Sequence, residues 1–158
     1  MPGFGITAEG ITVLAMRTVL FICTGNYYRS RFAEAVFNCE ADRRGLKWQA
    51  ISRGLALNPA HGNLSRHTGT ALDVRGIDRR HTAANRMAMA AEAFAQADRV
   101  IALDRTEHYP IMLRRFAVWA DRIDYWDVAD VQFRQPDEAL PEIEVQVWGL
   151  LETLIAEG

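Results

Sequence analysis

The sequence predicts a single three-layer α/β domain, built as a four-stranded parallel sheet with helices on both faces. Three observations point to it. Short apolar runs alternate with helical patterns along the chain, the rhythm of a parallel sheet joined by crossover helices. The first run, Thr18 to Ile22, is apolar without the polar alternation of a half-exposed strand, as expected for a strand covered on both faces. The chain has 158 residues, one domain's length and enough for a full core.

The elements follow in order. Residues 1–16 are glycine-rich and lack the basic start and cleavage site of a signal peptide, so they read as a flexible extension ahead of a domain over 17–158. Strands are expected at Thr18–Cys23, Trp48–Arg53, Arg99–Leu103 and Arg122–Trp126. Helices are expected at Ser30–Arg44, Ser65–Arg75, Thr82–Gln96, Thr106–Arg115 and Glu138–Glu157. Gly54–Asn63, with Gly, Asn, Pro and His, reads as a surface loop, and so does Ala129–Pro141 with its two prolines. The last helix carries Ile143, Val147, Leu150, Leu151 and Leu154 at helical spacing, one apolar stripe for the core. Asp104, at the end of the third strand, reads as a helix N-cap.

The chemistry concentrates in Cys23-Thr24-Gly25-Asn26-Tyr27-Tyr28-Arg29-Ser30. The octet links the first strand to the first helix at the carboxyl edge of the sheet, where such folds bind ligands. A strand that turns directly into a helix leaves backbone N–H groups aimed at one spot, with the helix dipole behind them, and so cradles a tetrahedral anion. Gly25 and Asn26 are residue types that tolerate positive φ, which a tight loop of this kind needs. Thr24, Gly25, Asn26, Tyr27, Tyr28 and Arg29 are the expected phosphate-binding residues. Arg29 can lay its fork of donors on two anion oxygens, and Cys23, beneath the anion, is the expected nucleophile. A cysteine in a core strand is often an inert small hydrophobe, and Cys-x5-Arg alone is a weak signal. The added serine, the glycine–asparagine pair and the strand–loop–helix setting set this loop apart. Ser30 can donate to the Cys23 thiolate or serve as a plain N-cap.

Val19-Leu20-Phe21-Ile22-Cys23-Thr24-Gly25-Asn26-x-x-Arg29-Ser30-x-x-Ala33-Glu34 resembles the low-molecular-weight protein tyrosine phosphatases and their structural cousins, the thioredoxin-coupled arsenate reductases. The resemblance runs from about Thr18 to the C-terminus and implies strand order 2-1-3-4. It implies hydrolysis of a phosphorylated protein or small aryl phosphate through a phosphocysteine on Cys23, with phosphate or another oxyanion as ligand. The family's general acid is an Asp-Pro on the loop after the fourth strand. Asp130 matches that place, although Val131 stands where the proline belongs, and Asp127 is the alternative. The resemblance also places His81 where a histidine holds the loop asparagine, here Asn26. Ser52 is expected in the same buried polar network. Tyr28 stands where many members carry a second cysteine, and Arg31 replaces a proline and adds positive charge near the anion. Tyr27 falls at one wall of the substrate slot, with Phe133 or Trp126 for the wall opposite.

The formal net charge of −2 argues against nucleic acid or an anionic membrane surface as a partner. No apolar stretch is long enough to span a bilayer. The chain's two cysteines, Cys23 and Cys39, make no disulfide framework, which suits a reducing cytoplasm. Cys39 lies well inside the first helix and reads as packing. His61, His67 and His108 show no ligand spacing, so neither metal nor cofactor is expected. Two other functions remain open. One is an arsenate reductase using an external thiol, since no cysteine follows Cys39 to carry an internal relay. The other is a non-catalytic oxyanion-binding regulator that has lost its acid.

Overall fold

A computed structural model describes residues 4–6 and 12–158. The central sheet holds β3 (Arg17–Cys23), β4 (Trp48–Gly54), β5 (Arg99–Ala102) and β6 (Asp124–Tyr125) in the order β4-β3-β5-β6, every pairing parallel. Counted from β3, this is the expected 2-1-3-4. Of the expected N-terminal extension, β1 (Phe4–Ile6) and β2 (Thr12–Leu14) pair as a separate antiparallel ribbon. The rest of it up to residue 11 lies outside the described residues.

β3 is central, and the pleat explains its composition. Val19, Phe21 and Cys23 face a core shared with α1 (Arg29–Arg43) and α6 (Pro136–Ala156). Leu20 and Ile22 face a second core with α3 (Ala91–Gln96) and α4 (Arg105–Arg115). Residues Val19 to Ile22 are wholly buried because both faces are covered, and each large side chain so buried contributes about 2 kcal/mol. In α6, Ile143, Val147, Leu150, Leu151 and Leu154 form the buried stripe read from the sequence.

Three expectations need correction. The helix expected at Thr82–Gln96 is present only at Ala91–Gln96, preceded by a 3-10 turn at Arg79–His81. The intervening backbone is taken up elsewhere: the Ala83 amide donates to Glu34, the Met87 amide to Asn26, and Ala88 bridges Gly54. The loop expected through Pro141 ends early, because α6 starts at Pro136. Proline suits a first helical position, and Asp137 and Glu138 complement the dipole of the first turn. The fourth strand contracts to Asp124–Tyr125 at the sheet edge, although the Trp126 and Val128 amides still reach Ala102 and Leu103 carbonyls. Two further helices complete the fold: α2 (Arg66–Val74), expected at Ser65–Arg75, and the single turn α5 (Ala117–Ala120), which the sequence pattern did not reveal.

β3 pairs with β4 on one side and β5 on the other, so the chain reverses its direction of winding there. Cys23 sits at that carboxyl edge, opposite Gly54 in the register. Among the described residues no helix is long and apolar enough to cross a membrane.

Candidate active site

The loop between β3 and α1 is held by its carbonyls. Cys23 O accepts from the Leu55 amide at 3.0 Å, Thr24 O from Ala56 at 2.8 Å, and Tyr27 O from Ser65 at 2.9 Å. Tyr28 O accepts from the Phe32 amide and from the Thr68 hydroxyl. With the carbonyls turned outward, the amides of residues 24–28 donate to no acceptor among the described residues. They lie between Cys23 and the N-terminus of α1, which has no acidic residue in its first turn. Unpaired amides at a helix N-terminus are suited to an anion.

Asn26 fixes the shape of the turn. Its φ of 48° is left-handed, while Gly25 is not in that region. Asparagine tolerates this conformation, and here its side chain is fully engaged. Nδ2 donates to Ser30 Oγ at 3.0 Å and to Ser52 Oγ at 2.9 Å, and Oδ1 accepts from the Met87 amide at 2.8 Å. Ser52 in turn donates to Glu34, which also accepts from Thr82 and the Ala83 amide. Gly54 lets this close approach happen, since a Cβ there would lie 2.8 Å from the Asn26 amide nitrogen.

Ser30 Oγ lies 3.0 Å from Cys23 Sγ. Because Ser30 already accepts from Asn26, its own hydrogen is free to point at the sulfur. Tyr28, not Ser30, occupies the N-cap position of α1, so the capping alternative for Ser30 falls away. His81 is displaced from its expected role. All the polar groups of Asn26 are taken by Ser30, Ser52 and Met87, and the His81 ring lies against a different surface with Asp42 and Trp48. Arg31 is buried; it donates to Thr82 Oγ1 at 2.7 Å, to the Asn63 carbonyl at 2.9 Å, and to the Ala83 carbonyl. It therefore ties down neighbouring loops and does not reach toward substrate.

Arg29 closes the cradle and is 2% exposed, so its partners determine its position. Nη1 donates to the Val128 carbonyl at 2.8 Å, and Nη2 donates to Glu107 Oε1 and Oε2 at 3.0 and 2.8 Å. Burial opposes its charge, yet Cys23, Glu107 and Asp130 together raise its pKa above the ordinary arginine value. No acceptor for Nε is found among the described residues. Glu107 also accepts from the Thr24 hydroxyl and faces His108 Nε2 at 3.1 Å. Burial works against ionisation of Glu107, but donors from His108 and Arg29, the Arg29 charge and Thr24 hold its pKa well below the carboxylate range. Neither Glu107 nor His108 stood out in the sequence. Glu107 follows Asp104 at the start of a helix, where an acid is ordinary, and only the tertiary fold brings it to Arg29.

Asp130 Oδ1 stands 3.9 Å from Arg29 Nη2, half-buried, with its own carboxylate accepting from the Val131 amide at 2.8 Å. Asp127 is exposed and pairs as an isolated bridge with Asp104. It lines a neighbouring cavity of about 540 Å³ with Glu107, Ala129 and Phe133. Of the two candidate wall aromatics, Trp126 is committed to the core against Phe21, centroids 5.7 Å apart, while Phe133 is 78% exposed. On the other side Tyr27 stacks on His61 at 4.5 Å. Tyr28 turns inward, its hydroxyl buried without a partner among the described residues, and burial pushes its pKa up to about 12.

The chain matches the family described as low molecular weight phosphotyrosine protein phosphatase over residues 18–155. The chain belongs to this family. A protein-arginine-phosphatase of Bacillus subtilis (strain 168) is 31% identical over 105 residues, 66% of this chain and 67% of that protein. The crystal structure of a YwlE mutant from Bacillus subtilis superposes with TM-score 0.73 at 26% identity, covering 87% of this chain and 98% of that one. A low molecular weight protein tyrosine phosphatase from T. tengcongensis gives TM-score 0.71 at 26% identity, covering 90% and 99%. A YwlE arginine phosphatase with its active-site cysteine changed to serine, that serine phosphorylated, gives TM-score 0.73 at 26% identity over 87% and 95%. The chain is thus a phosphatase, a hydrolase of the low molecular weight family.

The placement of the two cysteines makes oxidation informative here. Cys39 is half-buried in α1, about three helical turns from its start, on a helix that would have to unwind to meet Cys23. Peroxide should therefore inactivate the protein by converting the Cys23 thiolate to sulfenic acid, without an internal crosslink. Mass spectrometry of the oxidised chain checks this, and a Cys23–Cys39 disulfide is the contrary result.

Proposed function

We propose that this phosphatase cleaves phosphomonoesters through a phosphocysteine on Cys23, with Arg29 binding phosphate and Asp130 as general acid and base. The observation that supports it most is the set of outward-turned loop carbonyls, which leaves the amides of residues 24–28 free above a thiol paired with Ser30. In the first step the Cys23 sulfur attacks phosphorus in line. The S–P bond forms as the ester P–O bond breaks, and Asp130 gives its proton to the departing oxygen. Loop amides and the Arg29 guanidinium hold the equatorial oxygens as charge spreads over them. In the second step Asp130 takes a proton from water, which attacks phosphorus and releases the Cys23 thiolate to the Ser30 hydroxyl.

The position of Asp130 beside Arg29 supports Asp130 as the acid. Asp130→Asn is expected to slow hydrolysis of phosphotyrosine by about 10²- to 10³-fold and of nitrophenyl phosphate by far less, since nitrophenolate leaves with little protonation. The same leaving-group pattern in Asp127→Asn, and its absence in Asp130→Asn, transfers the role to Asp127. Its absence in both favours an oxyanion-binding regulator.

A second substrate reading has support of its own. Asp130 at the mouth, with Asp127 and Glu107 along the adjoining cavity, surrounds the leaving-group side with carboxylates suited to a guanidinium. The 31% identical protein-arginine-phosphatase is consistent with such a substrate. Matched phosphotyrosine and phosphoarginine peptides, assayed side by side with arsenate reduction by an external thiol, decide among the three.

A further inference from the structure

We propose that Glu107 and His108 are positioning residues that hold Arg29 and Thr24 for phosphoryl transfer. The inference rests on the phosphocysteine reading above. A guanidinium offers five N–H groups on one plane, and its usefulness to a phosphoryl group depends on which of them the protein already occupies. Here the protein takes one side of that plane. Val128 O holds Nη1 and the Glu107 carboxylate holds Nη2, while Nε has no acceptor among the described residues and remains for the anion. A buried arginine without these two partners could swing away from the cradle.

His108 extends the arrangement to the loop. The ring is fully buried, and its Nδ1 accepts the Asp104 amide hydrogen at 3.0 Å, which puts the ring proton on Nε2. Nε2 lies 3.1 Å from Thr24 Oγ1 and 3.1 Å from Glu107 Oε2. The Thr24 hydroxyl donates onward to Glu107. One chain of donors thus runs from the first turn of α4 through His108 and Thr24 to the carboxylate that grips Arg29. It ties α4 to both ends of the phosphate loop, at Thr24 and at Arg29. Neither Glu107 nor His108 needs to touch substrate for this. Their effect passes through Arg29, whose bonds to the equatorial oxygens matter most when charge develops on them.

The test is Glu107→Gln, which keeps shape and an acceptor oxygen but removes the charge. Expected is a fall in kcat of about 10- to 100-fold with KM within about threefold, the signature of a displaced transition-state donor. The loss should be equal for good and poor leaving groups, unlike that of Asp130→Asn. Affinity for orthovanadate, which adopts five-coordinate geometry, should weaken alongside kcat, and affinity for inorganic phosphate much less. Combined with Arg29→Lys, the Glu107 change should add little, because both act through one group. If Glu107→Gln fails to fold, His108→Asn preserves the acceptor for the Asp104 amide, removes the Nε2 donor, and should show a smaller loss of the same kind. A kcat within twofold of the parent overturns the proposal. So does additivity with Arg29→Lys. Tighter phosphate binding overturns it as well, because Glu107 would then be competing with the anion for Arg29. A parent protein inactive on every phosphate ester refutes the phosphocysteine reading instead, and orthovanadate affinity still reads the positioning in that case.

Discussion

Cys23→Ala is expected to abolish aryl phosphate hydrolysis, a loss of at least about 10⁵-fold, in a protein that remains folded. Cys23 is the one thiol in the loop, and Cys39 lies within α1. The structural effect is small by comparison. Cys23 is 2% exposed, and alanine fits its place at the end of β3, losing one buried atom and the contact with Ser30 at an expected destabilisation of about 1 kcal/mol. A thermal midpoint lowered by only a few degrees, together with retained binding of inorganic phosphate, would show that the cradle survives without its nucleophile. Substantial turnover by the purified variant would sink the covalent route.

Arg29→Lys has the next largest effect, despite the conserved charge. The guanidinium already serves the Val128 carbonyl and the Glu107 carboxylate, and in the proposed mechanism it serves the incoming anion as well. An ammonium on a flexible stem meets at most some of these, and not in one plane. We expect kcat to fall by about 10³-fold, with a smaller rise in KM, since the lost bonds strengthen in the transition state. Glu107 would be left short of a donor in a half-buried place, so a loss of stability of about 1–3 kcal/mol should accompany the kinetic defect. Near-parental kcat in this variant would show that the guanidinium fork does not serve the chemical step.

Much of the fold was legible because its signals are local. The unbroken apolar run into Cys23 announces a strand covered on both faces, and the stripe from Ile143 to Leu154 announces the face of a helix. Cys23, Arg29, Ser30 and Asn26 could be singled out together as candidates because one loop carries them. What escaped depends on distant partners. Thr82 to Ala90 has helical composition, but Glu34, Arg31 and Gly54 capture it in another conformation. His81 matched a sequence position and not a contact, since Met87 and Ser52 reach Asn26 first. Glu107 and His108 have no motif of their own, because their meaning lies in the packing of α4 against the phosphate loop. The aromatic pair Tyr27 and His61 belongs to the same class, a contact between two loops that no spacing reveals.

The loop carbonyls described above are each fastened to a different stretch of chain: Leu55 and Ala56 beyond β4, Ser65 at the head of α2, and Phe32 within α1. Arg29 adds fastenings to α4 and to the segment after β6. The loop's shape therefore depends on contacts from several parts of the fold. A unit of β3 and α1 alone would contain every residue of the motif but lack the amides of Leu55, Ala56 and Ser65 that hold the Cys23, Thr24 and Tyr27 carbonyls. The contacts that shape the loop are thus spread over the topology and not contained in the motif that names it.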